Sequence, residues 1–549
     1  MTAPFNLRPG ARDAAVVIVL VGLFLCVAAR SLRLPAPWPD EVNDPSYGME
    51  LALGLPRSPS DWQFSLGAKT WPLRVQHPYD FSALSIYWSA AAFRLGGVSV
   101  EVLRASELAV GVGMLAVFYA LCRLWFSWEI GLWAGLLLAL NPAFVIWSRV
   151  CYYVIELPLA FLNLSALLLV ALWHRGRRPA LLYAGCFVWA FSLNLTTKAL
   201  AFLLAYPVLF VLWVPRRSWP SRRQAGTAAV FAVFGAVNPI AYSAVRGMPI
   251  IKKLMIALWA PTQAGVDNAA LLPNIFIRVQ QLRDVLSGVI PLDHAAPGLL
   301  AAPILSGLVL AAMLALVLRG DLRRRKVGFV LSLMGLLFMQ TAFTPTSHDA
   351  RHVMVLWPYP LLAAALGLAA LREEIDARFS SRWSALKLGP GTLAAWLLLA
   401  AALVSSARVD AAYFSGLRDP GSRGLWSEAV YDVARHLDER APRRLISLNW
   451  GLERDIYFLT HGRVKPEAVY NDFPQASDRH PFYRKRFFDT NHAYLAYFGD
   501  YGRDAVTVGN NLSSFQKLAG DAGRRLLTER IFRTGAGDPF CGVWRVEPR

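Results

Sequence analysis

The ten residues Trp38-Pro39-Asp40-Glu41-Val42-Asn43-Asp44-Pro45-Ser46-Tyr47 follow directly on the first long apolar run of the sequence. Adjacent carboxylates such as Asp40 and Glu41, with Asp44 close behind, suit three tasks. They can act as a general base, a metal ligand or an acceptor for sugar hydroxyls. In an arbitrary sequence such a pair is usually a solvated turn. His77, in Gln76-His77-Pro78, can donate to a phosphate or shuttle a proton, or be an ordinary loop histidine. Arg149 and Glu156 flank Cys151-Tyr152-Tyr153, where they can pair with each other or bind a ligand. Lys198, in Thr196-Thr197-Lys198, either snorkels to an interface or holds an anion. Arg351 and His352 end the charged turn His348-Asp349-Ala350-Arg351-His352, a helix start suited to phosphate.

What these residues do depends on what positions them. Of 549 residues, 55% are hydrophobic and 17% charged, against roughly 25% charged in soluble domains, so the chain is a membrane protein. A net charge of +19 would suggest nucleic acid in a soluble protein. Here the basic residues cluster in short loops between apolar segments, which assigns them to membrane topology and excludes a nucleic-acid partner. Nineteen Trp and thirty Phe fit interfacial anchors and lipid-facing surface. The five cysteines form no metal-type pair, and the polar C-terminal region holds Cys541 alone.

Spanning runs are read at 13–30, 104–122, 130–147, 153–173, 180–196, 199–214, 226–245, 298–318, 327–343, 353–371 and 391–407, giving about eleven transmembrane helices. The first run is read as a retained helix and not a cleaved signal. Arg8, Arg12, Arg123, Arg175, Arg177, Arg178, Arg216, Arg217, Arg222, Arg223, Arg319 and Arg323 to Lys326 all fall on one side of that pattern. The positive-inside rule makes this side cytoplasmic, with the N-terminus inside and the C-terminus outside. Two external loops result, 31–103 and 246–297, the second carrying an amphipathic pattern from Leu271 to Val289 expected at the membrane surface. Residues 1–408 then form the transmembrane domain, and 409–549 a soluble extracytoplasmic α/β domain large enough for its own core. Within that domain, helices are expected over Trp426–Leu437 and Ser513–Leu518. Strands are expected over Arg444–Leu448, His492–Phe498, Leu526–Ile531 and Gly542–Val546.

In this order and on this side of the membrane, the features resemble the GT-C superfamily of membrane glycosyltransferases. The resemblance is to its protein O-mannosyltransferase-like and aminoarabinose-transferase-like branch. It rests on Asp40-Glu41 and Tyr47 after the first helix, His77-Pro78, Arg104, Asn141-Pro142 with Arg149 and Glu156, Lys198, and Asp349-Ala350-Arg351-His352-Val353. The resemblance covers about residues 13–408.

The resemblance implies an enzyme of the bacterial inner membrane that moves a sugar from a polyprenyl-phosphate carrier to an acceptor at the outer face. Asp40 would be the catalytic base, supported by Glu41. Arg351 would hold the carrier phosphate with Lys198 and His77, and Asp44, Tyr47, Arg149, Glu156 and His352 would complete the substrate site. His77-Pro78 stands where many relatives carry Lys-Pro-Pro, and Glu156 where Asp is commoner. Asp40, Glu41 and Asp44 could bind a divalent cation, but the sequence assigns no metal or other cofactor. Protein, lipid and glycan all remain open as acceptor. A multi-spanning transporter or lipid flippase is the competing reading. It is weakened because charged residues within the spans are sparse and no internal repeat is evident.

Overall fold

In the structure, a computed structural model, the first apolar run forms α1 (Ala11–Ala28). The acidic stretch after it is itself helical, α2 (Pro39–Leu53). Pro39 supplies a preset φ at the first helical position, and the Glu41 side chain accepts from the Trp38 backbone N–H at 3.2 Å, closing the first turn. The helix ends at Gly54, in the left-handed conformation. A hairpin, β1 (Gln63–Leu66) and β2 (Lys69–Pro72), leads to α3 (Ala83–Gly96), which packs along α2. The structure describes residues 10–56, 62–67, 69–74, 83–246, 262–263, 266–267, 270–289, 303–320, 325–342, 350–379, 389–418, 422, 424–469, 492–498 and 511–548. His77 and Asp349 lie outside these residues.

The bundle continues with α4 (Val100–Trp125), α5 (Trp128–Ala139), α6 (Pro142–Trp147), α7 (Glu156–Gly176), α8 (Pro179–Phe191), α9 (Leu200–Trp213), α10 (Arg222–Gly235) and α11 (Val237–Val245). A two-rung ladder, β3 (Thr262–Gln263) with β4 (Val266–Asp267), precedes α12 (Leu271–Leu286), α13 (Pro303–Leu318), α14 (Arg325–Ala342), α15 (Tyr359–Phe379) and α16 (Pro390–Arg418). Among the described residues, the apolar runs fall on helices or helix pairs. Four helices among these residues, α1, α4, α7 and α16, are long and apolar enough to cross a membrane by themselves. Two bent pairs also qualify: α10 with α11 at 66°, and the 3-10 turn Ala350–Leu356 with α15 at 55°. Leu115, Phe118, Trp133, Phe144, Leu164, Phe202 and Trp357 belong to one continuous apolar core inside the bundle. Outward-facing Ile18, Leu204, Leu212 and Leu310 are more than half exposed, the arrangement of a surface solvated by lipid.

The amphipathic pattern from Leu271 is a helix, and its polar side faces the protein. Asn274, Arg278 and Gln281 are buried, with Arg278 Nε donating to the Thr341 carbonyl at 3.1 Å, while Leu272, Phe276 and Val279 point outward. A helix in water would turn the other way; this one suits an apolar boundary.

α16 carries on to Arg418, past the boundary at 409, before the polar region begins. That region contains α17 (Ala429–Arg440), β5 (Arg444–Ser447), α18 (Leu452–Leu459), β6 (Glu467–Ala468), β7 (His492–Tyr497), α19 (Asn511–Asp521), β8 (Arg524–Arg533) and β9 (Pro539–Pro548). The sheet order is β6-β5-β7-β9-β8, with β5 parallel to both β6 and β7, and β9 antiparallel to β7 and β8. Alternate residues of β7 divide between two cores. Ala493, Leu495 and Tyr497 face α17 and α18, whereas Tyr494 and Ala496 face Phe515 and Ala519 of α19. The expected strands and helices of this region all fall on observed elements; α18 and β6 are additional.

Candidate active site

Helical geometry separates the acidic stretch into three environments, because successive residues of α2 point about 100° apart. Asp40 keeps 29% of its side chain exposed and accepts from Arg351 Nη1 at 3.2 Å. Glu41 is fully buried, and both its oxygens are taken by Arg104: Nε donates at 2.7 Å and Nη2 at 2.9 Å. Asp44 is buried towards α3, where the Ser85 hydroxyl donates to it at 2.6 Å. The three carboxylates therefore do not converge on one point, and among the described residues no three metal-ligating side chains gather. Tyr47 is buried on a further side, with the Arg454 guanidinium over its ring at 5.9 Å.

Arg104 fixes the chain that delivers Asp40. Beyond Glu41 it donates to the carbonyls of Leu32 and Pro35, at 2.8 and 2.7 Å. Arg149 acts alongside it, donating to the carbonyls of Ser31 and Leu34 at 2.6 and 2.7 Å. The ion pair between Arg149 and Glu156 that the sequence allowed is not formed; Arg149 turns its Nη2 to the backbone, and its guanidinium faces the Phe414 ring at 5.0 Å. Burial lowers the Arg149 guanidinium to about 10. These two arginines clamp residues 31–35, the link between α1 and α2.

Glu156, at the first position of α7, is instead held by Lys198 and His352. Lys198 Nζ donates to Glu156 Oε1, and His352 Nδ1 lies 2.8 Å from the same oxygen and 2.9 Å from Lys198 Nζ. A proton on Nδ1 goes to Glu156, while a bare Nδ1 accepts from the ammonium. Lys198 sits in a 3-10 turn whose start is capped by the Thr196 hydroxyl, accepting from Lys198 N at 3.3 Å. Its side chain stays 22% exposed, whereas Glu156 and His352 are buried.

Arg351 joins the two groups, since it neighbours His352 on the 3-10 turn at Ala350–Leu356. Its guanidinium lies over the Tyr153 ring at 4.4 Å and donates to the Tyr153 carbonyl at 3.0 Å. Tyr153 in turn packs edge-on against Trp426 at 5.4 Å, and Trp38 contacts Tyr153, Trp426 and Trp450 at 5.6, 5.1 and 6.4 Å. An accessible carboxylate, an arginine and a lysine thus share one aromatic-walled face at the end of the bundle. Such a face can accept a proton and stabilise a departing anion.

The C-terminal region completes this wall. Trp450 and Gly451 sit at the start of α18, where a Cβ on Gly451 would lie 2.5 Å from Pro39 Cγ. The Tyr457 hydroxyl donates to Glu50 at 2.9 Å. Asp455 is buried close by, and burial, with Glu453, Glu41 and Asp40 adding, raises its carboxyl well above the ordinary value. Sequence reading did not assign α18 to the site. An eight-residue helix gives little periodic signal, and only the glycine before it marked a turn. Arg104 had a signal, because Glu101, Arg104 and Glu107 recur at helical spacing at the start of a spanning helix.

No family model matches the chain, and no curated protein matches it. Solved structures do. ArnT from Cupriavidus metallidurans in the apo state is 12% identical with a TM-score of 0.53, each chain covered to 97%. The same protein bound to undecaprenyl phosphate gives a TM-score of 0.53 at 12% identity and 98% coverage of both chains. The archaeal oligosaccharyltransferase AglB from Archaeoglobus fulgidus, in complex with an inhibitory peptide and a dolichol-phosphate, is 14% identical with a TM-score of 0.55. That match covers 90% of this chain and 70% of the other. The chain shares the fold of these structures, which are GT-C glycosyltransferases, the superfamily that the motif order resembled.

Proposed function

We propose that the protein transfers a sugar from a polyprenyl-phosphate carrier to an acceptor, with Asp40 as the base. The observation that carries this reading is the Asp40 carboxylate, accessible and 3.2 Å from Arg351, beside the Lys198–Glu156–His352 cluster. Structures of the same fold that contain undecaprenyl phosphate and dolichol-phosphate support a lipid-linked donor.

In the proposed reaction an acceptor hydroxyl or amine loses its proton to Asp40 and attacks the anomeric carbon. The carbon–oxygen bond to the phosphate breaks, its electron pair leaves with the phosphate oxygen, and the configuration inverts. Arg351 and Lys198 stabilise the charge on that oxygen, a role that preorganised cations fill well in a water-poor site. Glu156 and His352 position Lys198, and His77 remains a candidate third phosphate contact. Glu41 becomes a positioning residue acting through Arg104, and Arg149 positions the same link. Asp44 and Tyr47 hold α2 against α3 and α18.

In this reading about eleven spans cross the membrane, with the N-terminus cytoplasmic and the region after α16 extracytoplasmic. The packing of α18 on α2 supports placing that region on the Asp40 side, opposite the start of α1. The test is transfer from a labelled polyprenyl-phosphate sugar by purified protein. Asp40→Asn should lower the rate by about 10²–10⁴-fold. Equal transfer by the variant would remove Asp40 from the mechanism.

A further inference from the structure

A cavity of about 440 Å³ opens at the end of the bundle opposite Asp40. The separation follows from α4: Arg104 binds Glu41 near one end, and Trp125 closes the other, about 31 Å away at 1.5 Å per residue. That is the thickness of a bilayer's hydrocarbon core. The cavity falls in the range of roughly 300–1,000 Å³ typical of small-molecule sites. Ile130 of α5, Leu316 of α13 and Leu366 of α15 line its interior, and Arg325, Lys326 and Glu373 stand at its mouth.

The cations at this mouth differ from others at the same end of the bundle. Arg123 pairs with Asp13 at 3.1 Å, Arg372 with Glu129 at 2.8 Å, and Arg319 with Glu373 at 3.6 Å. Glu373, the one acidic group among the described residues lining the cavity, is thereby matched. Arg325 and Lys326 have no carboxylate partner among the described residues; Lys326 Nζ donates instead to the Trp125 carbonyl. Burial and the neighbouring Arg175 together hold the Lys326 ammonium below the ordinary lysine value, as expected of clustered cations lacking an anion. The first turn of α14, with its outward backbone N–H groups, begins at Arg325 and adds to the positive field.

We propose that this cavity binds an anionic phospholipid, one acyl chain between α5, α13 and α15 and its phosphate at Arg325 and Lys326. An apolar interior behind paired cations is complementary to an amphiphile with a negative head, and basic pockets between helices favour such headgroups. The site lies a membrane's thickness from Asp40, so it is distinct from the carrier-phosphate site and does not rest on the assignment of the reaction.

The test uses the full-length protein in detergent micelles doped with phosphatidylglycerol, phosphatidylcholine or a polyprenyl phosphate, with bound lipid counted by native mass spectrometry. Wild type should retain phosphatidylglycerol in preference to phosphatidylcholine. Each cation removed should weaken retention about five-fold, so Arg325→Ala with Lys326→Ala loses about 25-fold. Ala369→Phe, which narrows the cavity and leaves both cations in place, should also reduce retention, while Asp40→Asn should not. Equal retention of the two phospholipids by wild type would overturn the proposal. So would undiminished retention by the double variant, displacement by soluble glycerol phosphate alone, or a preference for the polyprenyl phosphate.

Discussion

Glu41→Gln and Asp40→Asn change neighbouring residues of one helical turn, and the structure requires opposite consequences. Glu41 and Arg104 are both fully buried and joined by two hydrogen bonds of 2.7 and 2.9 Å. A glutamine can accept one of these through its amide oxygen, but its NH₂ then opposes the guanidinium. The Arg104 charge is left buried without a counter-ion, which costs about 3–5 kcal/mol. Asp40 and Arg351 are partly exposed at 3.2 Å, and an ion pair of that kind contributes about 0–1 kcal/mol. Chemical unfolding followed by tryptophan fluorescence should therefore move the midpoint strongly for Glu41→Gln and little for Asp40→Asn. Transfer from a labelled carrier should fail in Asp40→Asn although the protein is stable. In Glu41→Gln, lost activity should track the fraction unfolded and the displacement of the α1–α2 link. Combining Glu41→Leu with Arg104→Met should recover much of the stability, since a buried ion pair is often replaced by apolar groups at little cost. Wild-type stability for Glu41→Gln, or an equal loss for Asp40→Asn, would refute the division of roles.

Three further outcomes follow from the same geometry. Arg351→Ala removes the guanidinium stacked on Tyr153, and should raise the apparent KM for the carrier by about ten-fold or more while shifting the unfolding midpoint little. Arg351→Lys should not rescue it, because an ammonium cannot reproduce the planar stack; a fully active lysine variant counts against the phosphate role. Gly451→Ala demands a side chain at φ +101° and a Cβ 2.5 Å from Pro39 Cγ, so it should cost about 1–3 kcal/mol and lower transfer, measured by unfolding and turnover on one preparation. The raised carboxyl of Asp455 means that wild type is at full relative stability below the ordinary carboxylate value of about 4. It loses stability as pH rises towards the folded-state value. Asp455→Asn removes that dependence, so the two proteins should unfold alike near pH 4 and diverge above it, with the variant more stable. Parallel midpoint–pH curves would show that Asp455 is not held neutral by folding.

Much of this molecule is written locally. Among the described residues the apolar runs fall on helices, as expected where a backbone in lipid must satisfy its own hydrogen bonds, a constraint acting run by run. The strands around Arg444–Leu448 and His492–Phe498 were legible through their composition and alternation, and Asp40 through its place at the exit of the first run. Partnership was not legible. Arg149 and Glu156 stand close in sequence, yet Arg149 binds the carbonyls of Ser31 and Leu34, and Glu156 binds Lys198 and His352. Nor did adjacency separate Asp40 from Glu41; the 100° turn between them and a distant Arg104 decide which is accessible and which is buried. The contribution of α18 is likewise tertiary, since Gly451 meets Pro39 only after the C-terminal region folds back over α2. Sequence determined which residues could carry charge at a membrane surface, because that depends on residue type and hydropathy along the chain. Tertiary structure alone decided which charges neutralise one another, because that depends on directions and distances between segments hundreds of residues apart.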